Sequence, residues 1–200
     1  LVDLSLPPSD PGDPEQTALL SEAEKGKASR FHFERDARRY RASHTALRQL
    51  LAQATNKPAR SLTFVEGSFG KPRLWGGERP YFNMSHSGDW ALIGFCDEAP
   101  IGVDIEVPRE MSDLESLAQR NFSAAEFQAL LQIDPHQRQE AFLRCWTRKE
   151  ACLKALGSGL SIEPSVFEAG IEAAPRVTSI HVGTEACGME VYSLHLPLRG

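Results

Sequence analysis

The chain has 200 residues, 41% of them hydrophobic and 24% charged, which is the composition of a soluble globular fold large enough to build a core without disulfides. No apolar run approaches the roughly 20 residues of a membrane-spanning helix, and the acidic, Pro-rich start from Leu1 to Glu15 does not read as a signal peptide. The net charge of −5 argues against a nucleic-acid coat protein, yet it averages two populations: Lys25 to Arg73 holds 12 Lys/Arg against 3 Asp/Glu, and the remainder holds 10 against 24.

Residues 7 to 14 (Pro-Pro-Ser-Asp-Pro-Gly-Asp-Pro) predict a loop. Ser21-x-x-Glu24 is a capping-box pattern that opens a helix, which Gly26 weakens. Phe33, Ala37, Tyr40, Leu47, Leu51 and Ala54 recur near every 3.6 residues and predict a longer helix ended by Asn56-Lys57-Pro58. Arg35, Arg38, Arg39 and Arg41 fall on its other faces. Leu62 to Val65 predicts a short strand, and Gly67-x-x-Gly70-Lys71-Pro72 a turn.

Tyr81–Ser85, Trp90–Cys96 and Ile101–Val107 are rich in aromatic and β-branched residues and are separated by turn-like tetrapeptides. They predict three antiparallel strands, with Pro108 stopping the third. A second capping box, Ser123-x-x-Glu126, leads into Phe127, Leu130 and Leu131. Pro135 opens an amphipathic helix carrying Phe142, Cys145, Trp146, Leu153 and Leu156, with Gly157 as its C-terminal cap. Short strands are expected around Val166–Glu172, Val177–Val182 and Glu190–Leu196. Helices, strands, helices, strands make an α+β fold of two similar halves, 1–107 and 108–200, dividing near Pro108.

Four cysteines (Cys96, Cys145, Cys152, Cys187) show no CxxC or zinc spacing. Cys145 and Cys152 are two helical turns apart, about 10 Å, too far for a disulfide. They read as core residues in a reducing cytoplasm.

Chemistry concentrates in three places. Alternation puts Asp104 and Glu106 on one face of their strand and Val103, Ile105 and Val107 on the other. Two like charges there suit a hard divalent cation such as Mg²⁺, or a solvated edge with both acids outward. In Trp146-Thr147-Arg148-Lys149-Glu150-Ala151-Cys152-Leu153-Lys154, Glu150 and Lys154 are i,i+4, which suits a surface ion pair or a catalytic pair. Lys149 falls on the apolar stripe, where it must snorkel or meet a buried anion. Gly70-Lys71-Pro72 and Asn83-Met84-Ser85-His86-Ser87-Gly88 offer cations, hydroxyls, an imidazole and turn amides, with Lys25, Lys27, Arg35 and Arg39 adding positive field. Together these parts suit a polyanionic nucleotide undergoing displacement at phosphorus.

Gly70-Lys71-Pro72, Phe82 to Ser87, Gly102 to Glu106 and Trp146 to Lys154 occur in the order and spacing of the 4′-phosphopantetheinyl transferases, and Arg30 to Ala37 is similar to their N-terminal helix. Over about residues 20 to 170 the chain resembles the larger, surfactin-synthetase-activating type, a pseudo-dimer of two α+β subdomains in one monomer, in the branch with Trp and Lys-Glu-Ala wording. That resemblance implies transfer of phosphopantetheine from coenzyme A to a serine of an apo acyl, peptidyl or aryl carrier protein, with release of adenosine 3′,5′-bisphosphate.

It implies that Asp104, Glu106 and Glu150 hold Mg²⁺, for which Mn²⁺ can substitute, with Glu150 also the base for the serine, directly or through water. Lys154 would bind the α-phosphate, Ser85 and His86 the phosphates, and Lys71 the adenosine end. Lys27, Arg35 and Arg39 would reach the 3′-phosphate and diphosphate. The cleft would lie between the halves, with carrier selectivity resting on apolar surface around Met111 to Phe127. No nucleic acid or membrane partner is implied. Competing readings are a Mg²⁺-dependent nuclease or phosphohydrolase, and a non-catalytic carrier-binding homologue.

Overall fold

The fold is a computed structural model, and it describes residues 1–5, 18–67, 69–77, 79–194 and 196. The loop expected over 7–14 lies outside the described residues. Helix α1 (Glu22–Ala28) starts at the expected capping box, in which the Ser21 amide donates to Glu24 Oε2 at 2.7 Å and the Glu24 amide donates back to Ser21 Oγ at 3.3 Å. Helix α2 (Glu34–Thr55) ends where Asn56 enters the left-handed region at φ 53°. Its buried face, with Leu47 and Leu51, packs with Leu62, Leu74 and Phe82 into the first core.

Strands β2 (Phe64–Glu66) and β3 (Pro72–Leu74) form a small antiparallel hairpin. Strands β4 (Tyr81–Ser87) and β5 (Trp90–Cys96) pair from Tyr81↔Cys96 to Ser87↔Trp90. The third member of this sheet is β1 (Val2–Asp3), on the far edge of β5.

The expected third strand, Ile101–Val107, is therefore a correction. The segment is not part of the ladder. It crosses the sheet face on which Asn83, Ser85 and Ser87 stand. The Val103 amide donates to Asn83 Oδ1 at 2.8 Å and the Val107 amide to Ser87 Oγ at 3.2 Å, so side chains replace a neighbouring strand. Gly94, opposite Asn83 in register, leaves the space: a Cβ there would fall 2.6 Å from Val103 Cγ1.

The second half opens with α3 (Leu114–Asn121), which the sequence does not announce, and α4 (Ala124–Leu131), which starts at the Ser123/Glu126 capping box. Helix α5 (Pro135–Leu156) begins under an Asp134 cap with Pro135 in its first turn and stops at left-handed Gly157. Leu114, Ala118, Phe122, Leu130, Ala141, Phe142 and Cys145 form one core around α5. Within Met111 to Phe127, Leu114, Ala118 and Phe122 are buried in this core, while Met111, Leu117 and Phe127 are half-buried at its margin.

Strands β6 (Arg176–Val182) and β7 (Glu185–Val191) form a hairpin over a further core of Cys152, Leu153, Phe167, Ala169, Ile180 and Val191. Among the described residues of the strand expected at Glu190–Leu196, only the first two are in β7. The strand expected at Val166–Glu172 is absent. Side chains tie that segment down instead: Arg148 donates to the carbonyls of Ala169, Gly170, Ala173 and Ala174, and Glu126 accepts from the amides of Ala169 and Gly170. The α+β class stands. Among the described residues no helix is long and apolar enough to cross a membrane.

Candidate active site

The site forms where the Ile101–Val107 segment is held between β4 and α5. Gly102 permits this approach, because a Cβ there would fall 1.9 Å from Ala151 O and 2.4 Å from Ala155 N. One turn of α5 presents Glu150, Ala151, Lys154 and Ala155 on that side.

Asp104 is the centre. Its Oδ1 accepts from Lys154 Nζ at 2.5 Å and from Ser85 Oγ at 2.8 Å, and Lys154 Nζ also reaches Ser85 Oγ at 3.0 Å. The Asp104 side chain is 6% exposed, and its Oδ2 is buried without a hydrogen-bond partner. Glu106 Oε2 accepts from Ser87 Oγ at 2.9 Å. Glu150 stands within the field of both acids. Burial raises its carboxyl above the usual value of 4.5, Asp104 and then Glu106 push the same way, and Lys154 opposes them. Of the two readings of Glu150 and Lys154, the surface ion pair does not form: Lys154 pairs with Asp104.

The rest of the Trp146–Lys154 stretch anchors the helix. Arg148 and Lys149 are buried. Lys149 meets the anion its position required: Nζ lies 2.7 Å from Glu126 Oε2 and donates to Pro164 O at 2.7 Å and Phe167 O at 2.5 Å. Trp146 stacks on Phe142 at 5.8 Å. Cys145 and Cys152 are free and buried, and burial pushes both thiols up, Cys152 to about 11. Neither has the exposed, electropositive setting of a nucleophilic thiol.

The expected phosphate ligands divide. Ser85 is in the acid cluster. His86, next on the strand, stands on the opposite face by alternation and is exposed. Arg39 pairs with Asp89 of the β4–β5 turn, Nη2 to Oδ1 at 2.6 Å, and that turn touches Val107 through Gly88. Lys27 lies 5.6 Å from the Tyr40 ring centre, and the Arg35 Nε pairs with Asp36 at 3.4 Å. Among the described residues no contact joins Lys27 or Arg35 to the acids. Lys71 donates to two main-chain carbonyls, Ile101 O and Ala155 O.

Asn83 and Ser87 received no separate role from sequence. Their signal was the run of small polar side chains at 83, 85 and 87, which alternation places on one face.

No three His, Cys, Asp or Glu side chains among the described residues already stand as a ligand cluster. The donor chemistry nonetheless fits a hard cation. All three groups are carboxylates and one buried oxygen has no partner, the hard oxygen donors that suit Mg²⁺, which completes its shell with water and phosphate oxygens.

Comparison with known proteins gives the same family from both halves. Residues 100–195 match the 4′-phosphopantetheinyl transferase superfamily and residues 8–96 match the family described as 4′-phosphopantetheinyl transferase, N-terminal. A putative 4′-phosphopantetheinyl transferase of Synechocystis sp. is 39% identical over 150 residues, 74% of this chain and 61% of the relative. The 4′-phosphopantetheinyl transferase psf-1 of Bacillus pumilus is 37% identical over 178 residues, 88% of this chain and 75% of the relative. The 4′-phosphopantetheinyl transferase Sfp of Bacillus subtilis is 30% identical over 161 residues, 80% of this chain and 70% of the relative. The chain thus spans about three fifths of the Synechocystis relative and about three quarters of the B. pumilus one. With both halves matched in order and relatives of this identity covered over most of their length, the chain belongs to the 4′-phosphopantetheinyl transferase family.

Proposed function

We propose that this chain transfers 4′-phosphopantetheine from coenzyme A to a serine of an apo acyl, peptidyl or aryl carrier protein; its relatives' names support the 4′-phosphopantetheinyl transfer. The observation that carries the reading is the Asp104 cluster: a buried carboxylate held by Ser85 and Lys154, with a free buried oxygen, beside Glu106 and Glu150.

The serine Oγ attacks the phosphorus that bears the pantetheine arm. A new O–P bond forms, the bond from that phosphorus to the bridging oxygen breaks, and adenosine 3′,5′-bisphosphate leaves with the bridging oxygen. Glu150, beside Asp104 and Lys154, takes the serine proton. Lys154 neutralises charge on the leaving phosphate. Ser85 fixes Lys154 and Asp104 in register. Asp104, Glu106 and Glu150 would hold Mg²⁺, or Mn²⁺ in its place. Such an ion, when bound, supplies charge neutralisation at the diphosphate.

Both sides of the cluster come from one chain, so a monomer suffices. Coenzyme A as donor and four free cysteines suit the cytoplasm.

The test mixes the protein with apo carrier protein, coenzyme A and Mg²⁺ and reads intact mass. Phosphopantetheine addition supports the proposal. Coenzyme A binding without addition to any carrier tested points to a non-catalytic homologue. Glu150→Gln should abolish addition and leave coenzyme A binding largely in place; surviving addition refutes the base assignment.

A further inference from the structure

We infer that Lys71 is a positioning residue: its ammonium joins the Ile101 carbonyl to the Ala155 carbonyl and so holds Asp104 against Lys154. This rests on the transfer reaction above, and it assigns Lys71 a different task from the adenosine contact its Gly-Lys-Pro setting implies.

The turn between β2 and β3 closes by Gly67 N donating to Lys71 O and Gly70 N donating to Gly67 O, both at 2.9 Å. It presents Phe69 and Lys71 to the C-terminal end of α5. Two glycines with positive φ receive them. A Cβ at Gly157 would fall 3.2 Å from Lys71 Cδ, and one at Gly159 would fall 3.1 Å from Phe69 Cβ. The aliphatic stem of Lys71 therefore lies on the helix cap, and the ammonium is directed past it.

Its partners are specific. Ala155 O, at 2.8 Å, is one of the last carbonyls of α5, which lack a partner within the helix and carry its negative end. Ile101 O, at 3.0 Å, belongs to the crossing segment just before its closest approach to α5 at Gly102. Lys154 precedes Ala155, and Asp104 follows Ile101 by three residues. The two backbones that Lys71 joins are thus those that carry the 2.5 Å Lys154–Asp104 contact.

Two of the three ammonium hydrogens are committed to main chain, and burial lowers Lys71 to about 8, as for a cation enclosed by protein.

The test is Lys71→Met, which keeps the stem on Gly157 and removes the donors. Hydrogen exchange of the 101–105 and 155–159 amides should rise at least about tenfold while α2 is unchanged. In the transfer assay kcat should fall at least about tenfold with KM for coenzyme A within about twofold. A KM raised tenfold with kcat retained identifies a coenzyme A ligand and overturns the inference. Unchanged exchange overturns it too. Faster exchange with kcat and KM both retained reduces Lys71 to a structural tie and also overturns it. If the unsubstituted protein transfers nothing to any carrier, the transfer reading fails and exchange alone decides whether Lys71 joins the two segments. If Lys71→Met does not fold, Lys71→Gln is read in the same two ways.

Discussion

Replacing Lys149 by methionine should destabilise the protein severely, because this lysine of the apolar stripe is the cation of a buried ion pair. The Lys149 ammonium is spent on Glu126 Oε2, Pro164 O and Phe167 O, and the residue is 1% exposed. Methionine matches its length and apolar bulk but removes the charge and the donors. Glu126 would keep the amides of Ser123, Ala169 and Gly170, at 2.9, 2.7 and 3.0 Å, and lose its cation. Breaking one partner from a buried ion pair costs about 3–5 kcal/mol, against about 0–1 kcal/mol for an exposed pair. At about 2–4 °C per kcal/mol for a chain of this size, the melting temperature should fall by about 6–20 °C. Urea unfolding followed by Trp fluorescence measures this, since Trp146 packs in the adjoining core. A loss under about 1 kcal/mol refutes the buried-pair account.

Two further outcomes are expected. Gly102→Ala puts a methyl group 1.9 Å from the Ala151 carbonyl oxygen, a helix backbone atom that cannot turn aside, so the Asp104 segment must move by about 1 Å or more and transfer should fall about a hundredfold; a rate within threefold of the unsubstituted protein counts against the close crossing. Glu24 is held down to about 2, because hydrogen bonds from His44, Ser21 and Arg48 outweigh the upward push of burial. Its folded pKa lies below its unfolded value of 4.5, so its contribution is whole above 4.5 and is lost as pH falls toward 2. Unfolding free energy should drop by about 2 kcal/mol from this group between pH 6 and pH 3, and Glu24→Gln should remove that part of the drop; an identical pH dependence in the variant contradicts it.

Local signals in the sequence were read correctly where the chemistry itself is local. Both capping boxes, the stop at Asn56 and the stop at Gly157 depend on neighbours within four residues, and all four are in the structure. Helix α3 has no capping box, since Ser116 rather than Glu or Gln stands three residues after Asp113, and β3 is three residues long and begins with proline, so neither announces itself in sequence. The acidic pair, Glu150 and Lys154 were legible as residues, but their partnership was not: Lys154 meets Asp104, fifty positions away, rather than Glu150. The basic stretch misled in the same way. Lys25 pairs with Glu22, Arg48 with Glu24 and Arg39 with Asp89, three acids that lie outside the stretch. Part of that positive charge is therefore neutralised within the fold rather than held for a ligand.

The two failed strand expectations have one cause. Ile101–Val107 and Val166–Glu172 both have the apolar alternation of a strand, which reports that one face is buried and says nothing of what bonds the backbone. In the first, Asn83, Ser87 and Lys71 supply those bonds; in the second, Arg148, Lys149, Glu126 and Arg144 do. A ladder would have occupied the edge of β4 and left its face open. Side-chain bonding brings the first segment over that face and against α5, which is how two acids from one half of the chain reach a glutamate and a lysine of the other. The second segment, bonded to the buried side of α5, fixes the helix that carries that glutamate and lysine. Breaking the strand rule at both places is thus what assembles the site, and the charged residues with no evident catalytic task, Arg148 and Lys149, are required by the same geometry.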